Sequence, residues 1–300
     1  MILLKNGTVY TMSEAGVFVG DVKFDNAKIV ELGKDLCAEG CEVIDCTGKN
    51  IYPGFIDGHS HLGMQESSIR FEGDDVNEMS DPLTPHVRAI DALNPMDETI
   101  RNAALGGVTT VCSGPGSANV IGGTFAIWKT NGHVIDKMVM NSMAAMKCAF
   151  GENPKRVYKD SKIKTRMQTA AYLRETLMKT KEYMARKAAA GDDVTKKPAY
   201  DMKLEAMIPV LEKQIPLKTH AHRADDILTA LRIAREFDVT LTLDHCTEGH
   251  LIVDEVKESG FPAFVGPSLT DKSKFELKNL TFETAGILNK ARLKIALITD

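Results

Sequence analysis

The chain has 300 residues, of which 43% are hydrophobic and 26% charged, and its formal net charge at pH 7 is −4. This length suits one large domain, or a large domain with a small one. The weakly acidic balance gives no reason to expect nucleic acid or an anionic membrane as a partner, because neither attracts such a surface over long range.

The cysteines and the apolar runs bear on the compartment in which the protein works. Six cysteines are scattered along the sequence without a CxxC pair, which is typical of reduced thiols and not of a disulfide framework. The apolar run at the N-terminus is too short for a signal peptide, and no stretch approaches the roughly 20 apolar residues of a membrane span. We therefore expect a cytoplasmic protein.

Residues 1–50 are predicted to form a small β-module. Turn-forming pairs such as Asn6-Gly7 and Asp25-Asn26 separate short or alternating apolar runs, and no helical pattern intervenes. The runs lie at 2–4, 17–19, 28–32 and 42–45.

From residue 51 the pattern changes, and apolar strand-like runs alternate with helical stretches, as in parallel α/β proteins. Strands are predicted at 51–56, 108–112, 137–140, 145–150, 217–219, 240–243, 263–265 and 294–299. Helices are predicted at 95–105, 166–190, 224–237 and 251–258. Eight strands with helices between them favour a TIM-like (β/α)8 barrel over residues 51–300.

Histidines carry the first signal of chemistry. Five of the eight lie at or just beyond the carboxyl ends of predicted strands: His59, His61, His220, His222 and His245. In a barrel these strand ends converge on one mouth, where active sites are built. His59 and His61 are two residues apart on an extended chain and so face the same side. Since imidazole is a common ligand for zinc and similar metals, we predict a metal site there.

The segment at 54–61, GFIDGHSH, resembles the first metal-binding motif of the amidohydrolase superfamily. Segments at 91–97, 106–111, 113–119 and 151–155 look like the imidazolonepropionase-related and prolidase-like branch of that superfamily. The resemblance implies a barrel flanked by a β-sandwich made from both chain termini. It also implies one or two divalent metal ions at the barrel mouth, with zinc as the default.

The resemblance also implies roles for individual residues. His220 matches the histidine ligand of the fifth barrel strand, His245 matches that of the sixth, and Asp300 matches the aspartate of the eighth, which binds metal and shuttles the proton. His222 has the same strand parity as His220, so it could exchange roles with it or contact the substrate. Arg223 is a candidate for pairing with a substrate carboxylate, because a guanidinium group matches that geometry.

Two residues compete for the ligand position on the fourth barrel strand, where family members supply a glutamate or a carbamylated lysine that bridges two metals. The candidates here are Glu152 and Lys147. Five residues of extended chain span about 16 Å and place the two side chains on opposite faces, so only one can reach the mouth. Glu152 is preferred, because it follows the predicted strand at its open end.

The implied function is hydrolysis of a C–N bond in a small-molecule substrate, either a cyclic amide or a dipeptide, by metal-activated water. Deamination of a heterocyclic base is the alternative within the enzyme class, and a non-catalytic scaffold with the same barrel is the alternative outside it. A homo-oligomer stays open. In the family a last helix and returning sandwich strands follow the eighth-strand aspartate, so the chain is expected to be a fragment or naturally short.

Overall fold

The computed structural model describes residues 1–67 and 70–300, which divide into two compact units, Met1–Phe55 and Ile56–Asp300. The first unit contains a sheet of five strands: β1 Ile2–Tyr10, β2 Val17–Asp25, β3 Lys28–Gly33, β4 Glu42–Asp45 and β5 Asn50–Ile51.

The N-terminal sheet combines a hairpin with parallel pairing. β2 pairs antiparallel with both β1 and β3, whereas β4 and β5 pair parallel with β1. Between β2 and β3, Asn26 and Ala27 have φ values of 44° and 62°. Two consecutive residues with positive φ are what a two-residue type I′ hairpin loop requires, and asparagine accepts that conformation readily. The predicted β-module is therefore present, with β1 and β2 longer than expected.

The second unit is built on an eight-stranded sheet. Its strands are β6 Phe55–Ser60, β7 Val108–Ser113, β8 Ile121–Lys129, β9 Val139–Ala149, β10 Leu217–Ala221, β11 Leu241–His245, β12 Ala263–Val265 and β13 Ile295–Leu297. The strands follow chain order across the sheet from β6 to β13, and every pair from β9 onwards is parallel.

The sheet curls into a nearly closed barrel. The backbone N–H of Asp300, just beyond β13, donates to the carbonyl oxygen of His59 in β6 at 3.3 Å. The predicted α/β, TIM-like barrel is thus confirmed. One strand departs from the expected pattern, because β8 runs antiparallel to both β7 and β9.

The prediction at 145–150 is confirmed as part of β9, but the separate strand predicted at 137–140 was wrong. Residues 137–138 end a short helix, and residues 139–140 begin β9, whose first half is exposed and therefore tolerates polar residues such as Asn141 and Ser142. β8 was missed because Gly122 and Gly123 indicated a loop. Gly123 has a φ of 111° beside a bulge, and a Cβ there would overlap the Val87 carbonyl oxygen. Glycine in a strand often marks such a close approach.

Helices cover the outside of the barrel sheet. They are α1 Glu98–Leu105, α2 Ile135–Met138, α3 Glu152–Val157, α4 Arg166–Ala190, α5 Met202–Leu211, α6 Ala224–Phe237, α7 Val253–Ser259 and α8 Glu283–Lys290. The predictions for α4 and α6 are confirmed to the residue, whereas α2, α3, α5 and α8 were not predicted.

The main core of this unit lies between the parallel strands and the two longest helices. Leu173 and Leu177 of α4 and Leu231 of α6 are 0–1% exposed, and they belong to one cluster with Leu217 of β10 and Leu241 of β11. Full burial of a leucine contributes about 1.5–3 kcal/mol relative to exposure. This core fixes β10 and β11, and therefore the histidines at their ends. In the described part of the chain, no helix is long and apolar enough to cross a membrane.

Candidate metal centre

The predicted histidines meet at the carboxyl ends of three barrel strands. The ring centroid of His245 lies 5.4 Å from that of His59 and 4.4 Å from that of His220, and the His220 and His222 rings are 4.6 Å apart. His61 follows β6 directly, and its ring meets the His59 ring edge to face, with the centroids 5.5 Å apart. Four of these rings, those of His61, His220, His222 and His245, border a cavity of about 460 Å³ that Asp300 also lines. This volume is ordinary for a small-molecule site.

Two groups of side chains within this assembly could hold a metal ion. One consists of His220, His222 and His245, and the other of His59, His245 and Asp300, with the ligand atoms of each group within 4.8 Å of one another. His245 belongs to both. His61 adjoins the second group, since its Nε2 lies 3.3 Å from Asp300 Oδ1.

Each of the five imidazoles uses the same ring nitrogen, Nδ1, for a hydrogen bond within the protein. The Nδ1 atoms bond to Asp244 Oδ2 (His59, 2.9 Å), Gly114 O (His61, 2.6 Å), Ser117 Oγ (His220, 2.7 Å), Thr247 Oγ1 (His222, 2.8 Å) and Gly266 O (His245, 2.7 Å). Where the partner is a carbonyl or carboxylate oxygen, Nδ1 must carry the proton, so the lone pair is on Nε2. The Nε2 atoms of His222 and His245 are buried and have no hydrogen-bond partner among the described residues.

Burial keeps the four buried imidazoles, those of His59, His220, His222 and His245, neutral. It lowers the pKa of His245 to about 3, and it also lowers the pKa values of His59 and His220, the latter with the help of the neighbouring His245 and His222. Neutral imidazole is the form that coordinates metals. His245 also has a φ of 68°, and strained backbone at a strand end is frequent where a side chain must be aimed at a site.

The aspartate at the barrel mouth is held by the same histidines. Asp300 Oδ1 lies 3.3 Å from Nε2 of both His59 and His61. Burial alone would raise the pKa of Asp300, but the contacts with these two histidines hold it far below its usual value. The side chain is therefore an ionised carboxylate that faces the cavity.

The preference for Glu152 as the fourth-strand ligand is not supported by its position. Gly151, with a φ of 82°, turns the chain from β9 into α3, and Glu152 becomes the first residue of that helix. Its side chain lines a separate cavity beside Lys155 and Arg223, and within the described chain it joins neither metal-binding group.

Lys147 is the other candidate for that ligand position. It is fully buried inside the barrel, and its Nζ has no hydrogen-bond partner among the residues described. Burial lowers the pKa of Lys147 to about 8, although the carboxylates of Asp244 and Asp300 oppose this shift. A lysine side chain two residues inside the strand end is long enough to extend toward the mouth, so the choice between Glu152 and Lys147 stays a prediction.

The two residues predicted to contact the substrate, His222 and Arg223, line different cavities in the structure. His222 lies in the cluster with His220, so the geometry does not choose between them as ligands. Arg223, however, points to the neighbouring cavity, where its guanidinium forms two 2.8 Å bonds with Asp225. An arginine already paired in this way is a poor receptor for a substrate carboxylate.

One residue of the site was missed from the sequence. Asp244, in β11, is fully buried and bonds to His59 through Oδ2 and to Lys218 through Oδ1 at 3.3 Å. Burial tends to raise the pKa of Asp244, but Lys218 and His59 together lower it, so it is ionised. The available signal was a charged residue directly before His245, at the end of a strand whose other residues include no second carboxylate. A carboxylate on the second nitrogen of a ligand histidine is typical of metal sites.

The donor set therefore fits a divalent cation. Neutral imidazole nitrogens without partners, an ionised carboxylate and a carboxylate behind one histidine converge on one cavity. Nitrogen and oxygen donors in this combination suit zinc and similar transition metals.

Comparison with known proteins gives the class. An amidohydrolase structure from Thermotoga maritima MSB8 is similar over 99% of this chain and 78% of that one, with 43% identity and a TM-score of 0.95. Amidohydrolase tasK of Hapsidospora irregularis is 29% identical over 279 residues, which are 82% of this chain. A D-hydantoinase of Geobacillus stearothermophilus is 42% identical over 62 residues.

The chain thus belongs to the amidohydrolase superfamily, as the histidine motif suggested. It spans only 28% of the length of the tasK protein and 13% of the D-hydantoinase. No family model matches the sequence.

Proposed function

We propose that this chain carries the active site of a metal-dependent amidohydrolase that cleaves a C–N bond in a small substrate, either a cyclic amide or a dipeptide. The observation that carries the proposal is the convergence of neutral histidines and ionised Asp300 on one cavity. The similarity to a D-hydantoinase supports a hydantoin-like ring as the first cyclic substrate to test.

In this proposal the metal ligands are His59, His61, His220, His245 and Asp300, with His222 as an exchange partner of His220. Zinc is the default ion, because nitrogen and oxygen donors suit it. A bound divalent ion would lower the pKa of a coordinated water to about 7 and polarise the scissile carbonyl group.

Lys147 supplies the fourth-strand ligand after carbamylation. Its Nζ would add to the carbon of CO₂ and lose one proton, which converts a buried amine without a partner into a carboxylate. The shared position of His245 between the two groups supports room for either one ion or two.

The protein side chains supply proton transfer and orientation. Asp300 would accept a proton from the attacking water and then donate it to the leaving nitrogen, as a general base followed by a general acid. Asp244 holds the His59 ring through Nδ1, and the Gly114 and Gly266 carbonyls hold those of His61 and His245. These hydrogen bonds fix the ring orientations and leave each Nε2 available to coordinate the metal.

The proposal is tested with protein purified without chelator and a panel of hydantoins, lactams, dipeptides and aminoheterocycles. We expect cleavage of an amide bond, lost on His220→Asn substitution. Ammonia release from aminoheterocycles with no amide cleavage would contradict the proposal in favour of a deaminase. Metal content well below one equivalent, together with no turnover, would favour a scaffold.

A further inference from the structure

We propose that the substrate carries a carboxylate close to its scissile C–N bond, and that Arg156 and Lys274 bind this group. The inference rests on the proposed function and specifies its substrate class. Both cations line the cavity that contains His220, His222 and His245. Among the described residues that line this cavity, Asp300 is the sole acidic side chain, and the metal centre engages it.

Lys274 is positioned by a chain of contacts that begins at the histidines. Asn153 Nδ2 lies 3.4 Å from His220 Nε2, and its Oδ1 accepts a hydrogen bond from Lys274 Nζ at 3.4 Å. On its other side, Lys274 Nζ is 3.8 Å from Glu276 Oε2. The side chain is only 22% exposed. The side-chain amide of Asn153 therefore bridges the Lys274 ammonium group and His220 of the metal-binding cluster.

Glu276 balances the positive charge of Lys274 only in part. The same carboxylate also interacts with Arg166, whose terminal nitrogen lies 3.6 Å from Glu276 Oε1. Burial lowers the pKa of Lys274, against the carboxylates of Glu276, Glu152 and Asp300. Arg156 and Lys274 line the same cavity. An anion bound between them would therefore be attracted by two positive charges.

Arg156 has no acidic partner of its own in the described chain. It is exposed on α3, and no ion pair or hydrogen bond joins it to another described side chain. It also lines the neighbouring cavity with Lys155, Lys159 and Arg223, where Glu152 is the acidic residue. An unpaired guanidinium beside an ammonium group matches the two oxygens of a carboxylate. Arg223, the residue predicted for this role, is occupied by Asp225.

The binding test uses calorimetry with N-benzoylglycine and its carboxamide, N-benzoylglycinamide, which differ only in the anionic group. Wild-type protein should bind the carboxylate more tightly than the carboxamide, roughly 10-fold or more. Arg156→Gln should weaken carboxylate binding by roughly 10- to 100-fold while the carboxamide stays within about 2-fold, because charge-assisted bonds are lost. Lys159→Gln, an exposed cation outside this cavity, is the matched control and should match the wild type.

Lys274→Gln is the second variant and should reduce the carboxylate preference in the same direction. Equal affinity for the two ligands, or no binding of the carboxylate, would overturn the inference. So would an equal loss for both ligands in Arg156→Gln.

The same ligand pair separates this inference from the proposed function, because both members contain an amide bond that can be assayed. Turnover of the carboxamide as fast as the carboxylate would overturn the inference and leave the hydrolase proposal standing. A carboxylate preference in binding, with no amide cleavage of any panel substrate, would uphold the anion site and contradict the hydrolase.

Discussion

At the scale of single residues, the site depends on which ring nitrogen of each histidine is committed to the protein. All five Nδ1 atoms bond to a carbonyl, carboxylate or hydroxyl oxygen. This leaves the Nε2 atoms for coordination, which is the arrangement that a ligand set requires. Asp244 has a double role here, since it binds both His59 and the buried Lys218.

Replacement of Asp244 by asparagine should weaken metal binding by about 10- to 100-fold, because His59 loses its carboxylate partner. It should also destabilise the fold by about 3–5 kcal/mol, since Lys218 would stay buried without its counter-ion. Metal titration and chemical denaturation measure the two effects. Asp238→Asn, at an exposed position paired with Lys213, is the control. Wild-type metal affinity in Asp244→Asn would contradict the orienting role.

The identity of the fourth-strand ligand gives a second prediction at this scale. Lys147→Met should abolish hydrolysis and reduce the bound metal, whereas Glu152→Gln should retain both, because only Lys147 lies inside the barrel with the histidines. Intact-mass analysis under bicarbonate should show the added CO₂ in the wild type and not in Lys147→Met. The reverse pattern of activity loss would restore Glu152 as the ligand.

At the scale of elements, the turn from β9 into α3 decides which residues enter the site. Gly151 at this turn has a φ of 82° and a ψ of −139°, a conformation that is nearly restricted to glycine. A Cβ on Gly151 would overlap the carboxylate of Glu276, which accepts the Glu152 backbone N–H. The turn after the strand that carries Lys147 is therefore packed against Glu276, which lies two residues after Lys274.

Gly151→Ala should destabilise the protein more than Gly191→Ala. Gly191 has a similar backbone, with a φ of 52° and a ψ of −126°, but a Cβ there meets no atom within 4 Å. Both variants incur backbone strain of about 1–3 kcal/mol, and the overlap at Gly151 should add at least about 1 kcal/mol. Urea denaturation of the two variants measures the difference. Equal losses would mean that the Glu276 contact imposes no packing constraint.

The buried carboxylate of Glu276 should make stability depend on pH. Burial raises the pKa of Glu276 despite the backbone N–H of Glu152 and the nearby Lys274. A raised carboxyl pKa means that the folded state binds more protons, so this group's contribution to stability grows as the pH falls through that pKa.

The stability of the wild type relative to Glu276→Gln should therefore increase as the pH is lowered from about 7 toward about 4.5. Denaturation at several pH values measures this difference, with Glu255→Gln, at an exposed helix position, as control. A difference that shrinks over the same range would contradict the assigned direction.

Elements could be predicted from the sequence where apolar residues recur at a regular spacing along one face. α4 and α6 were located to the residue, because their apolar residues recur at helical spacing over long runs. β8 was not, since Gly122 and Gly123 look like loop residues until Val87 is seen to approach them. Asp244 and the Nδ1 partners escaped prediction for a related reason: they depend on contacts between residues that are distant in the chain.

At the scale of the whole molecule, the barrel accounts for why residues so far apart in sequence form one site. His59 in β6 and Asp300 beyond β13 are 241 positions apart, yet the Asp300 backbone N–H donates to the His59 carbonyl oxygen where the sheet nearly closes. Between them, His61 directly follows β6, His220 and His222 lie at the end of β10, and His245 ends β11. The central claim is that this closure assembles a metal centre.

Metal analysis of the chain purified without chelator, alongside His245→Asn, tests that claim most directly. His245 is common to both candidate groups, so its loss should empty either arrangement. We expect about one or two equivalents of divalent metal in the wild type and well below one in His245→Asn, with circular dichroism showing that both are folded. Well below one equivalent in the wild type, or equal metal content in the two proteins, would contradict the account.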